Sequence, residues 1–156
     1  MNKHKCILIA EDDENDLFLL RRGFASAGLT HKLVHVRNGQ VALNYLTGKQ
    51  PFSDRDQNPF PDLLLLDTRM PCVDGFDLLR ILQSHPELRA LPVVVFSSSL
   101  QELERAKGLG ARESLIKPTY IDEYRDIVLG LHQRWLGGAP TTAPRDQTDA
   151  NTSAQL

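Results

Sequence analysis

Residues 61–75 read Pro61-Asp62-Leu63-Leu64-Leu65-Leu66-Asp67-Thr68-Arg69-Met70-Pro71-Cys72-Val73-Asp74-Gly75. Four consecutive leucines, opened by Pro61-Asp62 and stopped by Met70-Pro71, form an apolar run of strand length. No polar residue alternates through the run, so both of its faces must be buried. A parallel sheet covered by helices provides that burial. The run ends in a carboxylate, and the carboxyl edge of an open α/β sheet is where such folds build their sites. Asp is also a common turn starter. The meaning of Asp67 therefore depends on what the other strand ends carry.

Outward from this strand, strand-like and helix-like segments alternate. Cys6-Ile7-Leu8-Ile9-Ala10 is a short apolar run. Leu17, Leu20, Phe24 and Ala27 then recur at helical spacing until Gly28 stops them. Lys32 to Val36 alternates like a strand. Asn38 can cap a helix carrying Val41, Ala42, Tyr45 and Leu46, closed by Gly48. Lys49 to Pro61 is polar and proline-rich and reads as a surface loop. After the leucine strand come a helix with Phe76, Leu78, Leu79 and Leu82, and a second buried strand, Leu91 to Phe96. A short helix over Leu100–Leu109 precedes a brief strand, Ser114 to Ile116. The last helix runs from Ile121 to Leu136, with Tyr124, Ile127, Val128, Leu131 and Trp135 at helical spacing. Five strands each followed by a helix predict an α/β fold, a doubly wound parallel sheet with helices on both faces.

The chain has 156 residues, 41% of them hydrophobic, with a net charge of −2. That suits a single domain over residues 1–136 with an ordinary core. The charge supplies no bulk attraction to nucleic acid or to an anionic membrane. No apolar stretch approaches the roughly 20 residues that span a bilayer. The basic start is followed by a run that Glu11-Asp12-Asp13 interrupts, so it is no signal peptide. A cytoplasmic protein with free thiols at Cys6 and Cys72 is expected. Residues 137–156 are rich in Ala, Pro, Thr, Asp and Ser without an apolar period, and read as a disordered C-terminal tail.

Four strand ends carry reactive groups: Glu11-Asp12-Asp13 after the first strand, Asp67 after the third, Ser97 after the fourth and Lys117 after the fifth. A parallel sheet brings them all to one edge. Carboxylates crowded there resist ionisation unless a cation joins them. Hard oxygen donors favour Mg²⁺, which commonly binds one or two carboxylates together with a phosphate. A carboxylate in that setting can act as a nucleophile and form an aspartyl-phosphate. The added charge then calls for Mg²⁺, an ammonium and hydroxyl donors around it. Asp12, Asp67, Ser97 and Lys117 supply that set.

In these features the chain resembles the receiver domain of two-component response regulators over about Lys5 to Leu136. The family pattern is an acidic pair after the first strand, an Asp followed by Met-Pro-x-x-Asp-Gly, a Thr or Ser ending the fourth strand, and Lys-Pro after the fifth. All of it is present and in order. The resemblance implies a CheY-like, flavodoxin-like (βα)5 fold with strand order 2-1-3-4-5. It implies Asp67 as phosphoacceptor and Asp12 as a Mg²⁺ ligand, with Glu11 assisting through water and the main-chain carbonyl of Arg69 as a further ligand. Ser97 would be the switch hydroxyl, Lys117 the ion-pair partner of the phosphoryl group, and Lys117-Pro118 a cis peptide. Arg69, Ser98 and Ser99 occupy positions that tune phosphoryl lifetime. The long 49–61 loop, the Val93–Ser99 run and the final Trp135-Leu136 resemble the stand-alone receivers that serve bacterial phytochrome kinases.

The implied partners are a sensor histidine kinase, either of phytochrome type or a generic one, and a downstream or phosphotransfer protein. Homodimer formation is open. One departure stands out: many receivers carry an aromatic three residues before the lysine, and this chain has Ser114. Taken singly, the signals have plainer readings. Glu11-Asp12-Asp13 can be a helix cap, with Asp13 or Asn15 capping while Asp12 binds metal. Asp74 reads as a structural cap, Cys72 as inert, and the five histidines as surface or filler residues. Two rivals remain: a pseudo-receiver that is a pure interaction module, and a phosphotransferase of the haloacid dehalogenase type. The latter places its nucleophile after the first strand in an Asp-x-Asp pattern, which Glu11-Asp12-Asp13 does not match.

Overall fold

The computed structural model describes residues 4–137. The strands are β1 (Cys6–Ala10), β2 (Lys32–Val36), β3 (Leu63–Asp67), β4 (Val93–Ser97) and β5 (Glu113–Ile116). The helices are α1 (Glu14–Ser26), α2 (Gly39–Thr47), α3 (Gly75–Ser84), α4 (Leu100–Gly108) and α5 (Ile121–Leu131). The strands form one parallel sheet in the order β2-β1-β3-β4-β5, the flavodoxin-like arrangement expected. From residue 138 onward the expected tail lies outside the described residues.

The leucine run is the centre of this sheet. Leu64 and Leu66 pack with Tyr45, Leu78, Leu82 and Leu103, on the side of α2, α3 and α4. Leu63 and Leu65 face the other way, against Leu20 and Phe24 of α1 and Tyr124, Val128 and Leu131 of α5. Both faces of β3 are therefore dry, which is why its sequence does not alternate. In register, Asp67 stands beside Phe96 and Ser97 beside Ile116, so both polar ends lie at the carboxyl edge.

The helix starts follow the predicted capping residues. Asp13 accepts from the main-chain N–H groups of Asn15 and Asp16, Asn38 from Val41, and Asp74 from Asp77. Each satisfies helix donors that lack an intrahelical partner. Gly75 carries no Cβ, and any Cβ there would collide with the Asp67 carbonyl. The small residue thus lets α3 start directly against the phosphoacceptor candidate.

Several expectations are corrected. The last helix is not continuous to Leu136. It ends at Leu131 and passes into a π-helical turn, His132–Leu136. In the wider turn, the Trp135 indole N–H donates to Glu113 Oε1 at 2.8 Å and Arg134 grips the same carboxylate. Leu136 is buried. These tertiary bonds to β5 are the physical reason for the wider turn. The 49–61 segment is a loop, as expected, and it is anchored: Arg55 donates to the carbonyls of Tyr45 and Leu46, both at 2.8 Å, and so caps the end of α2.

The histidines are not mere filler either. The Lys5 N–H donates to His31 Nδ1 at 3.1 Å, leaving the His31 proton on Nε2 to bond His132 Nδ1 at 2.9 Å. The two rings are 101 residues apart in sequence, which no local spacing rule registers. Lys117–Pro118 is trans; the one cis peptide among the described residues is Gln50–Pro51. The ordinary trans preference of the amide stands at Pro118, and Lys117 reaches its carboxylates in that form. Both cysteines are free. No helix among the described residues is long and apolar enough to cross a membrane.

Candidate functional site

The carboxyl edge gathers Glu11, Asp12 and Asp67, and one carboxylate oxygen from each lies within 4.8 Å of the others. Glu11 and Asp67 are buried, whereas Asp12 is exposed. Three oxygen donors from two neighbouring strands, open on one side, suit a hard divalent cation of the Mg²⁺ type. The fit is therefore a matter of donor chemistry as well as of position.

The turn after β1 is held from several directions. The Glu11 N–H donates to Val36 O at 3.1 Å, and His35 Nε2 donates to the Glu11 carbonyl at 2.7 Å. Glu11 Oε1 accepts from the Asp13 N–H at 3.1 Å. Burial pushes the Glu11 carboxyl up to about 8, and the Asp67 charge adds to this, with Lys117 and the Asp13 N–H opposing. The cause is desolvation first and like-charge crowding second.

Lys117 counters the crowding. Its Nζ lies 2.7 Å from Asp16, 3.3 Å from Glu11 and 3.4 Å from Asp67. Burial disfavours the ammonium, but hydrogen bonding to Asp16 and the charges of Glu11 and Asp67 outweigh it. Its pKa is held well above the usual lysine range, so the cation is present at every physiological pH. Asp16 was not anticipated as a partner. Its position on α1, one turn beyond the Asp13 cap, is the signal that would have found it.

Ser97 is buried at the end of β4. Its hydroxyl donates to Glu102 Oε2 at 2.5 Å and accepts from the Ser99 N–H at 3.0 Å. The Thr68 hydroxyl and Arg69 Nε also reach Glu102, each at 3.0 Å. Burial would raise the Glu102 pKa, but the hydrogen bonds from Ser97, Arg69 and Thr68 prevail and hold it below the ordinary carboxylate value. Ser99 caps α4, accepting from the Glu102 N–H at 3.3 Å. Ser98 and Pro118 line the cleft over Asp67. The Arg69 N–H donates to Asp67 Oδ1 at 3.3 Å. The Ser114 hydroxyl, where an aromatic was missed, is shielded from solvent and has no hydrogen-bond partner among the described residues.

Comparison with known proteins agrees with this architecture. The response regulator Rcp1 of Synechocystis is 29% identical over 137 residues, covering 86% of this chain and 91% of Rcp1. A crystal structure of Rcp1 in a Mn²⁺-bound form superposes with a TM-score of 0.74 at 27% identity, over 86% of this chain and 96% of that one. The response regulator RPA3017, of red light signalling in R. palustris, gives 0.81 at 32% identity with the same coverages. The phosphorylated cyanobacterial phytochrome response regulator RcpA gives 0.78 at 31% identity, again covering 86% and 96%. The response regulator receiver domain profile matches residues 7–129. With the profile spanning the sheet, its helices and every strand end of the site, the chain belongs to the response regulator receiver family.

Proposed function

We propose that the protein is a phosphorylation-driven switch in which Asp67 takes a phosphoryl group from a sensor histidine kinase. The observation that carries this reading is the convergence of Glu11, Asp12 and Asp67 with Lys117 at the edge above β3. An Asp67 carboxylate oxygen attacks phosphorus, a P–O bond forms, and the P–N bond to the donor histidine breaks. Lys117 is placed to pair with the new phosphoryl oxygens, since it already lies 3.4 Å from Asp67. Mg²⁺, when held by Asp12 and Asp67 with Glu11 and the Arg69 carbonyl nearby, would supply charge neutralisation for the incoming phosphoryl group.

Phosphorylated RcpA and Mn²⁺-bound Rcp1 support these two roles by relationship. RcpA and RPA3017 likewise support a phytochrome-type kinase as the donor. The receiver passes its state to a downstream or phosphotransfer protein, and it turns over no metabolic substrate of its own. Arg69 and Ser98 line the cleft over Asp67, and with Ser99 at the α4 cap they tune the phosphoryl lifetime.

The test is labelling with a small-molecule phosphodonor in the presence of Mg²⁺. Wild type should gain one phosphoryl group that alkali and hydroxylamine remove, as for an acyl phosphate, and Asp67→Asn should gain none. Equal labelling of both would reject Asp67 as the acceptor. An unlabelled wild type would favour the pure interaction module.

A further inference from the structure

The contacts of Ser97 point past Asp67 to α4. We propose that Glu102 is a positioning residue that latches the Ser97 hydroxyl in the resting state, so that phosphorylation is relayed to α4 through release of this carboxylate. The inference rests on Asp67 being the phosphoacceptor.

A hydroxyl has one proton to donate. That of Ser97 is committed to Glu102 Oε2 at 2.5 Å. To bond a phosphoryl oxygen on Asp67, Ser97 must give up Glu102, so the two states exclude each other. Glu102 draws three donors, from Ser97, Thr68 and Arg69, that come from the loop edges flanking Asp67. It is itself a residue of the first turn of α4. Charge acts in the same direction: a phosphoryl dianion arriving beside Thr68 and Ser97 repels the Glu102 carboxylate while competing for its donors.

A second observation explains why such a link is needed. The position that would hold a switching aromatic is Ser114, whose hydroxyl is buried without a partner. Ser114 pairs in register with Val95, which packs in the cluster that includes Leu103 and Ala106 of α4. There is no ring at this position to follow Ser97. The carboxylate at 102 is the side-chain connection from the hydroxyl to α4, beside the Ser99 N–H at the helix cap.

The latch is tested with beryllofluoride, which mimics the phosphoryl group, and Mg²⁺ on the full-length protein, with occupancy read by ¹⁹F NMR. Removing the latch in Glu102→Ala frees Ser97 and should tighten beryllofluoride binding about 10-fold, the scale of a hydrogen bond to a charged group. In a Ser97→Ala background the same change should shrink to about 2-fold, the part owed to direct charge repulsion. Amide signals of α4 in Glu102→Ala should also move part of the way towards the beryllofluoride-bound positions without any ligand. Glu102→Gln keeps the shape and should act in the same direction, which covers a failure of the alanine variant to fold. Unchanged or weaker binding in both Glu102 variants, or an equal gain in the Ser97→Ala background, would overturn the latch while leaving Asp67 as acceptor. Failure of wild type to bind beryllofluoride, with Asp67→Asn indistinguishable from it, would overturn both.

Discussion

At the scale of single residues, the site is a problem of charge crowding resolved by one half-buried lysine. Glu11 shows the strain most clearly, because its carboxyl is pushed up to about 8 by burial and by Asp67. A carboxyl whose folded pKa lies above its unfolded value of 4.5 holds its proton in the fold and loses it in the unfolded chain. Its contribution to stability therefore declines as pH rises from about 4.5 to 8. Glu11→Gln removes that dependence. Measured by urea unfolding in EDTA between about pH 5 and pH 9, the variant should lose less stability with rising pH than wild type does. In Mg²⁺ the order should reverse, because wild type gains ligand-linked stabilisation that Gln supports poorly. Equal pH slopes for the two proteins would contradict the assignment. The presence of Glu11, Asp12, Asp67, Ser97 and Lys117 at strand ends was readable from the residues alone. Asp16 offered only its place one turn beyond the Asp13 cap, and Glu102 offered no signal, because each acts through a partner on another element.

At the scale of elements, capping was legible and tertiary clamps were not. Asp13, Asn38 and Asp74 sit immediately before helical periodicity, and their side-chain oxygens close bonds within three residues. The π-helical turn after α5 has no such local cause. It is tied to β5 by Trp135 and Arg134, and to the start of β2 by the His31–His132 bond. Burial lowers the His31 pKa from its ordinary 6.5, with His132, His4 and Lys5 adding to this and Asp62 opposing. A histidine depressed in the fold stays neutral there after the unfolded chain has charged. The clamp is thus at full strength above about pH 6.5 and weakens as pH falls through that range. In a proton NMR titration, His31 should titrate below 6.5, and His132→Ala should shift it back towards that value. A His31 that titrates normally in wild type would remove the clamp.

At the scale of the whole molecule, stability rests on the dry sheet. Leu65 is 1% exposed and stands between Ile9 and Val94 in the middle of the sheet. Leu65→Ala should cost about 2–5 kcal/mol in urea unfolding, the range for cavities in cores that relax only partly. Leu33→Ala, on the half-buried edge strand β2, should cost clearly less. Similar losses at both positions would contradict β3 as the centre of the fold.

The number of strands, their parallel order within the family pattern, and the identity of the residues at the carboxyl edge were determined by the sequence. Those features are written locally, in apolar runs, caps and strand-ending polar residues, or in motif spacing. The tertiary structure alone decided which partner each of those residues holds. Lys117 meets Asp16 across 101 positions, Thr68 meets Glu102 across 34, and Lys117–Pro118 stays trans. A hydrogen bond is made with whatever the fold brings within about 3 Å, and that proximity is a property of packed elements. Asp67 could thus be found in a line of leucines, while the carboxylate that waits on Ser97 could be found only in three dimensions.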